Sequence, residues 1–333
     1  MWWNQVYVLS LPPSLLSLSL VFLGSSLIIE PYLIVLQFRN EAKTAALAQA
    51  VVSIAAAILA ITAVRIYPSA ASWFFAQILA NIIFIVMVAR SKRSIWSYFE
   101  KTAVAGISRA WGPLIPGAIA LFLLQAFGSL AVSKMFSMAE AGRFGLGYQL
   151  GAAAGMALAA AQSAWIPFFL EFKHADRERR MEVFGRVRRL YIGMVGAGLI
   201  AYVALAELCL VWFFSADYHG AQPVIAPIVM TQFLLGVWSL LLPNLYYAEK
   251  TSVVSGLQIL SALVSVLMIS ALGNWGPAGI AVAQMFGAAS LVLFQIAYNR
   301  AQGFDEDLLG GKAAGCLVAL GLLAVLRVVE YGW

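Results

Sequence analysis

Charge is scarce in this 333-residue chain: Asp, Glu, Lys and Arg make up 11% of it and hydrophobic residues 62%. Ordinary soluble domains carry about 25% charged residues, so a water-facing globular surface is excluded. Histidine and cysteine are equally rare, two of each. Cys209 and Cys316 both fall inside apolar runs, which argues against a disulfide framework. His174 and His219 fall on opposite sides of the layout derived below, so they cannot share a metal. The absence of a G-x-x-x-x-G-K-[ST] phosphate loop disfavours an ATP-driven pump. One carboxylate cluster exists, Asp305, Glu306 and Asp307 in GFDEDLLG, and its flanking glycines make it read as a solvated loop. No Lys or Arg precedes the apolar part of MWWNQVYVLSLPPSLL, so a cleaved signal peptide is not expected; Trp2 and Trp3 read as an interfacial anchor.

What the chain has instead is apolar length. About twenty residues at 1.5 Å each cross a hydrocarbon core of roughly 30 Å. Ten runs suffice: 6–38, 44–64, 70–90, 110–133, 144–170, 190–214, 223–246, 253–272, 278–298 and 312–330. The expected fold class is all-α, a polytopic transmembrane helix bundle. Its connections are about twenty residues or fewer, too short for a separate soluble domain. Sorted by alternate loops, 17 of the 21 Lys and Arg fall on one side, and only Arg65, Lys134, Arg143 and Arg327 on the other. The positive-inside rule makes the first side cytoplasmic and places both chain ends outside. Orientation thus accounts for most of the net charge of +6, and no nucleic-acid partner is implied.

Two basic connections carry apolar residues. In SKRSIWSYFEKTAVAGISRA, Ile95, Trp96, Tyr98 and Phe99 alternate with cations, as in an interfacial linker at 91–109. In KHADRERRMEVFGRVRRLY, Met181, Phe184, Val187 and Tyr191 recur at helical spacing, with the arginines on the remaining surface. That segment reads as a positive-inside loop continuing into the next span, or as a grip on anionic lipid headgroups.

Small side chains let helix backbones approach one another in lipid, where hydrophobicity drives no association. Gly147, Gly151, Gly155, Ala159 and Ser163 recur every fourth residue and predict a packing stripe, with Gln162 inside it and Gln149 at its margin. The spacing returns at Gly193, Ala197 and Ala201, and at Gly279, Ala283 and Gly287.

The run SKMFSMAEAGRFGLGYQLGAAAGMALAAAQSAWIPFFLE resembles the seventh to eighth helix region of bacterial polysaccharide flippases, relatives of multidrug exporters of the MATE type and of lipid II flippases. The similarity rests on Ala141, Gly142, Phe144, Tyr148 and Pro167. AELCLVWFFSADYHGAQPVIAPIV is similar to the ninth to tenth helix turn, through Glu207, Tyr218 and Ala221. YYAEKTSVVSGLQILSALVSVLMISALGNWGPAGIAVAQMFG resembles the tenth to twelfth helices, with Lys250 and Thr251 in one turn and Gly276, Gly279 and Ala281 in the other. IIEPYLIVLQFRNEAK resembles the fourth helix and its exit at Arg39.

The resemblance implies a two-lobe architecture with an incomplete first lobe: a partial lobe over 1–90, the linker, a six-helix lobe over 110–298, and a loop with a terminal span over 299–333. It implies a transporter rather than an enzyme, with no cofactor. Its substrate would be a polyprenyl-diphosphate-linked oligosaccharide crossing the bacterial inner membrane by alternating access, with a coupling proton or sodium ion. Many relatives carry an acidic residue where this chain has Gly128, so that ionisable site is not carried over.

Candidates to face a polar interior are few. Glu30 lies about nine residues from its helix end, roughly 13 Å at 1.5 Å per residue, and precedes the helix-loosening Pro31. It reads either as a carboxyl neutralised on a packing face or as a cavity group that binds a coupling proton. Glu207 sits near the outer end of its span and reads as an interfacial acid or a site residue, and Lys134 and Arg143 bracket an outer turn where they would meet a diphosphate or solvent. Gln125, Gln149, Gln162, Gln232 and Asn244 are polar residues within spans, suited to helix–helix hydrogen bonds or to ligand. The competing readings are a cation-coupled multidrug exporter and a membrane-embedded sugar or phosphate transferase. The transferase would need clustered carboxylates for a metal or for acid–base work.

Overall fold

The computed structural model describes residues 15, 17–26, 29, 42–90, 112–172, 176–248 and 250–303. Glu30, the linker at 91–109, His174, the 305–307 acids and the 312–330 run lie outside them, as does the side chain of Gln162. The described residues are helices and turns without a strand, as the all-α expectation requires. Four of the described helical stretches are long and apolar enough to cross a membrane: Gly112–Met135, Glu178–Phe213, Ala216–Tyr247 and Thr251–Ala301. Large apolar side chains stand exposed along them, including Phe122 at 67%, Leu267 at 69% and Leu293 at 63%. Such a surface would associate in water and is at home in lipid. The chain is a membrane protein.

Contacts divide the chain into two compact units, Met1–Val104 and Ala105–Trp333. In the first, α1 (Ser17–Ser26), α2 (Ala42–Ile66) and α3 (Ala70–Arg90) are described. The α2–α3 connection is tight because Ser69 Oγ accepts the Ser72 amide at 3.3 Å while Ser72 Oγ donates to the Tyr67 carbonyl at 2.7 Å. Asn81 on α3 is buried and donates to Ser25 and Ser26 on α1, at 2.8 and 3.2 Å. These bonds are interhelical and sit among apolar neighbours, the setting in which a polar pair adds directional glue to membrane helices.

The second unit contains α4 (Ile115–Met135), α5 (Met138–Glu171), α6 (Arg177–Leu190), α7 (Gly196–Phe213), α8 (Gln222–Ser239), the short α9 (Pro243–Tyr247), α10 (Thr251–Leu272) and α11 (Gly276–Ala301). Ser137 caps α5 by accepting the Glu140 amide at 3.2 Å, the N-terminal half of the S-x-x-E pattern in SMAE. The α10–α11 reversal takes three residues and closes on Gly276, whose φ of 80° is unfavourable to any residue with a Cβ.

The direction of each helix follows from its close approaches. Gly147, Gly151 and Gly155 of α5 lie against Val224, Ile228 and Gln232 of α8, the same offset each time, so these two helices run parallel. Gly117 lies against Ser255 and Met135 against Gly273, which makes α4 and α10 parallel as well. Gly279 meets Leu272 and Gly287 meets Ser265, so α10 and α11 are antiparallel. Within this unit α8 is the central helix, packed against α5, α7 and α11 and buried almost all round.

One connection differs from the expected loop. Most of 172–189 is helical, and α6 runs through a wide π turn at Tyr191–Val195 directly into α7. The spacing of Phe184, Arg188, Tyr191 and Ile192 explains this, since all four point to one face and all are buried.

Candidate functional site

In an apolar bundle the informative positions are the buried polar ones. On α10, Ser255, Gln258, Ser261 and Ser265 are each at most 6% exposed and share one face. Their spacing of three, three and four residues keeps them within an arc of about 120° at 100° per residue. At one end this face meets Gly117 of α4, where Ser255 Oγ also donates to the Pro113 carbonyl; further along it meets Gly287 of α11. On α11, Gln284, Gln295 and Asn299 form a second buried stripe, none more than 1% exposed. Ser255, Gln258, Ser265 and Gln284 therefore line a seam between α4, α10 and α11, and Gln295 and Asn299 extend the buried polar stripe along α11.

Gln284 shows how the seam is built. Its Nε2 donates to the carbonyls of Leu124 and Gln125 on α4, at 3.0 and 2.7 Å. The approach needs Gly128, since a Cβ there would stand 2.5 Å from Gln284 Cδ. Gln284 Oε1 has no partner among the described residues. Nearer the basic end, Gln295 Nε2 donates to Asn299 Oδ1 at 2.9 Å, leaving Gln295 Oε1 and Asn299 Nδ2 without partners among them. A buried polar atom left unsatisfied costs about 1–3 kcal/mol.

A second polar feature lies at the α6–α7 junction. Arg188 is 4% exposed, deep for a guanidinium. Three residues on, the Tyr191 ring lies parallel to Phe233 at 5.9 Å and its hydroxyl is pressed against Gly236 of α8. With α7 antiparallel to α8, this contact brings Arg188 level with the last turn of α8, whose carbonyl end favours a cation. Beside it Trp165, Phe169, Phe172 and Phe184 form an aromatic cluster, and Arg180 lies 5.3 Å over the Tyr247 ring.

The structure does not gather the sequence candidates into one site. Gln125 lends the seam its backbone carbonyl, and its side chain is half-buried. Lys134 is exposed in the last turn of α4. Arg143 Nε donates to the Asp217 carbonyl at 2.7 Å, tying the start of α5 to the turn at Ala216–Ala221. Gln149 is exposed, because two residues from Gly147 and two from Gly151 put it on the side of α5 turned away from α8. Gln162 belongs to α5, and Gln232 packs on Gly155. Glu207 is half-buried on α7, with one carboxylate oxygen out of solvent. Asn244 is half-buried in α9.

The residues missed were Gln258, Gln284, Gln295, Asn299 and Arg188. The S-x-x-Q-x-x-S-x-x-x-S spacing of α10 was the available signal. No family model, curated protein or solved structure matches the chain.

Proposed function

We propose that this chain is a transporter of the bacterial inner membrane that carries polyprenyl-diphosphate-linked oligosaccharide from the cytoplasmic to the outer leaflet by alternating access. Ten spans would complete it, seven of them in the second unit and six of those in the lobe over 110–298. The observation that carries the reading is the seam of neutral amides and hydroxyls inside a bundle of membrane-long helices. A carbohydrate presents hydroxyls that both donate and accept, and amide and serine side chains answer both roles. The ordered likeness of the α4 to α11 sequence to polysaccharide flippases points the same way. An organic cation would be better served by a carboxylate or an aromatic cage than by amides.

The test is reconstitution of the whole chain into vesicles with a fluorescent lipid-linked oligosaccharide in both leaflets. Transport makes the inner-leaflet fraction accessible to an external quencher, and protein-free vesicles keep it protected. An unchanged protected fraction, together with uptake of an organic cation, would replace this reading with the drug-exporter one.

A further inference from the structure

The unused hydrogen-bonding atoms of the Gln295–Asn299 pair have a defined pattern. The two side chains are one helical turn apart, 0% and 1% exposed, and joined by a 2.9 Å bond. That bond uses one donor and one acceptor. It leaves the Gln295 carbonyl oxygen as an acceptor and the Asn299 amide nitrogen as a donor, neither with a partner among the described residues. Continuing the α10–α11 register, in which Gly287 meets Ser265, brings Gln295 level with Leu257 and Gln258. The pair lies close to the basic end of the helix, where Lys250 Nζ sits 5.7 Å over the Tyr298 ring and donates to Gln302 Oε1 at 2.6 Å.

We infer that Gln295 and Asn299 form a binding subsite, within the second unit alone, for a neutral hydroxyl that donates to Gln295 Oε1 and accepts from Asn299 Nδ2. One hydroxyl group can do both at once, whereas a cation offers only donors and a phosphate oxygen only acceptors. Water supplies such a hydroxyl, and so does carbohydrate; the carbohydrate source rests on the transport reading above, and the water source does not. A buried donor and acceptor of this kind is the setting in which internal water is held.

Cysteine reactivity tests the subsite without relying on transport. Gln295→Cys and Asn299→Cys are made in the whole chain with Cys209→Ala and Cys316→Ala, and compared with Ala288→Cys, a position on the same helix with 0% exposure. A dry apolar site raises the thiol pKa, and each unit removes about tenfold of the reactive thiolate. Both subsite cysteines are expected to react with a small methanethiosulfonate at least about tenfold faster than the Ala288→Cys control. Slowing by a millimolar soluble oligosaccharide assigns the hydroxyl to carbohydrate, and fast reaction without slowing assigns it to water. Rates equal to the Ala288→Cys control would overturn the subsite. Should the cysteine variants fail to fold, hydroxyl-radical footprinting of the unsubstituted chain serves: oxidation of the buried Leu291 and Ile296 requires water beside them, and its absence would overturn the proposal equally.

Discussion

Ile228 of α8 occupies the space that a side chain on Gly151 of α5 would need: a Cβ there would stand 2.7 Å from Ile228 Cβ. The contact is the middle of three, between Gly147 and Gly155, so it fixes both the spacing of the two helices and their register. Overpacking such an interface costs about 1–3 kcal/mol. Gly151→Leu is therefore expected to lower the thermal unfolding midpoint of the detergent-solubilised protein. Gly145→Leu is the control, since nothing lies within 4 Å of a Cβ at Gly145. Equal midpoints for the two variants would refute the parallel α5–α8 packing.

The Gln284 amide and the bare backbone of Gly128 should behave as one unit. Gly128→Ala places a methyl where Gln284 lies, and Gln284→Ala removes the obstruction together with two hydrogen bonds to α4. Groups in direct contact couple by about 0.5–3 kcal/mol. The double variant is expected to be more stable than the sum of the two single losses predicts. Strict additivity in a thermal-unfolding cycle would show that the two positions do not touch.

The small-residue stripe of α5 was legible because its period of four lies close to the 3.6 residues of a helical turn, and small side chains on one face have one physical use in lipid. The polar seam was harder to see. Where lipid-facing and bundle-facing sides are both apolar, hydropathy does not distinguish them, so Gln149 and Gln284 look alike in sequence although one is exposed and the other buried. Arg188 was hidden for a related reason. In GRVRRL the three arginines read as one basic run, yet 100° steps turn Arg186 and Arg189 outward and Arg188 inward. Basic density marks the correct connection, and the helical spacing of Met181, Phe184, Val187 and Tyr191 is legible too. The sequence reading nevertheless puts all the arginines on the remaining surface, although 100° steps place Arg188 on the apolar face beside Phe184.

Arg143 offers a choice between two roles. As a diphosphate contact it would govern apparent substrate affinity. The geometry instead makes it a tether, with Nε bonded to the Asp217 carbonyl and Cδ beside Gly220. A hydrogen bond from a charged donor contributes about 1.5–3 kcal/mol. Arg143→Ala is expected to speed amide hydrogen exchange in the turn at Ala216–Ala221 and to leave the half-saturating concentration of a lipid-linked substrate unchanged. A rise in that concentration with unaltered exchange would restore the ligand role.

The two ends of the second unit differ enough to predict its sidedness. One end holds the α5–α6 turn, Lys250 and Gln302, with Arg179, Arg186 and Arg189 exposed close by on α6. The other holds Ser137, the turn at Ala216–Ala221 and the Gly273–Trp275 reversal, with Lys134 and Arg143 as its nearby cations. The positive-inside bias then puts the first end in the cytosol. The helix directions impose a stricter condition, because the parallel pairs α5–α8 and α4–α10 force successive long helices to alternate. In a chain free of Cys209 and Cys316, cysteines replacing Arg179 and Gln302 should stay unlabelled by an impermeant maleimide in intact cells, and cysteines replacing Ser137 and Trp275 should be labelled. Reversal of all four would overturn the orientation alone. Labelling that separates Arg179→Cys from Gln302→Cys would overturn the alternation, since no bundle with these helix registers can place those two residues on opposite faces of a membrane.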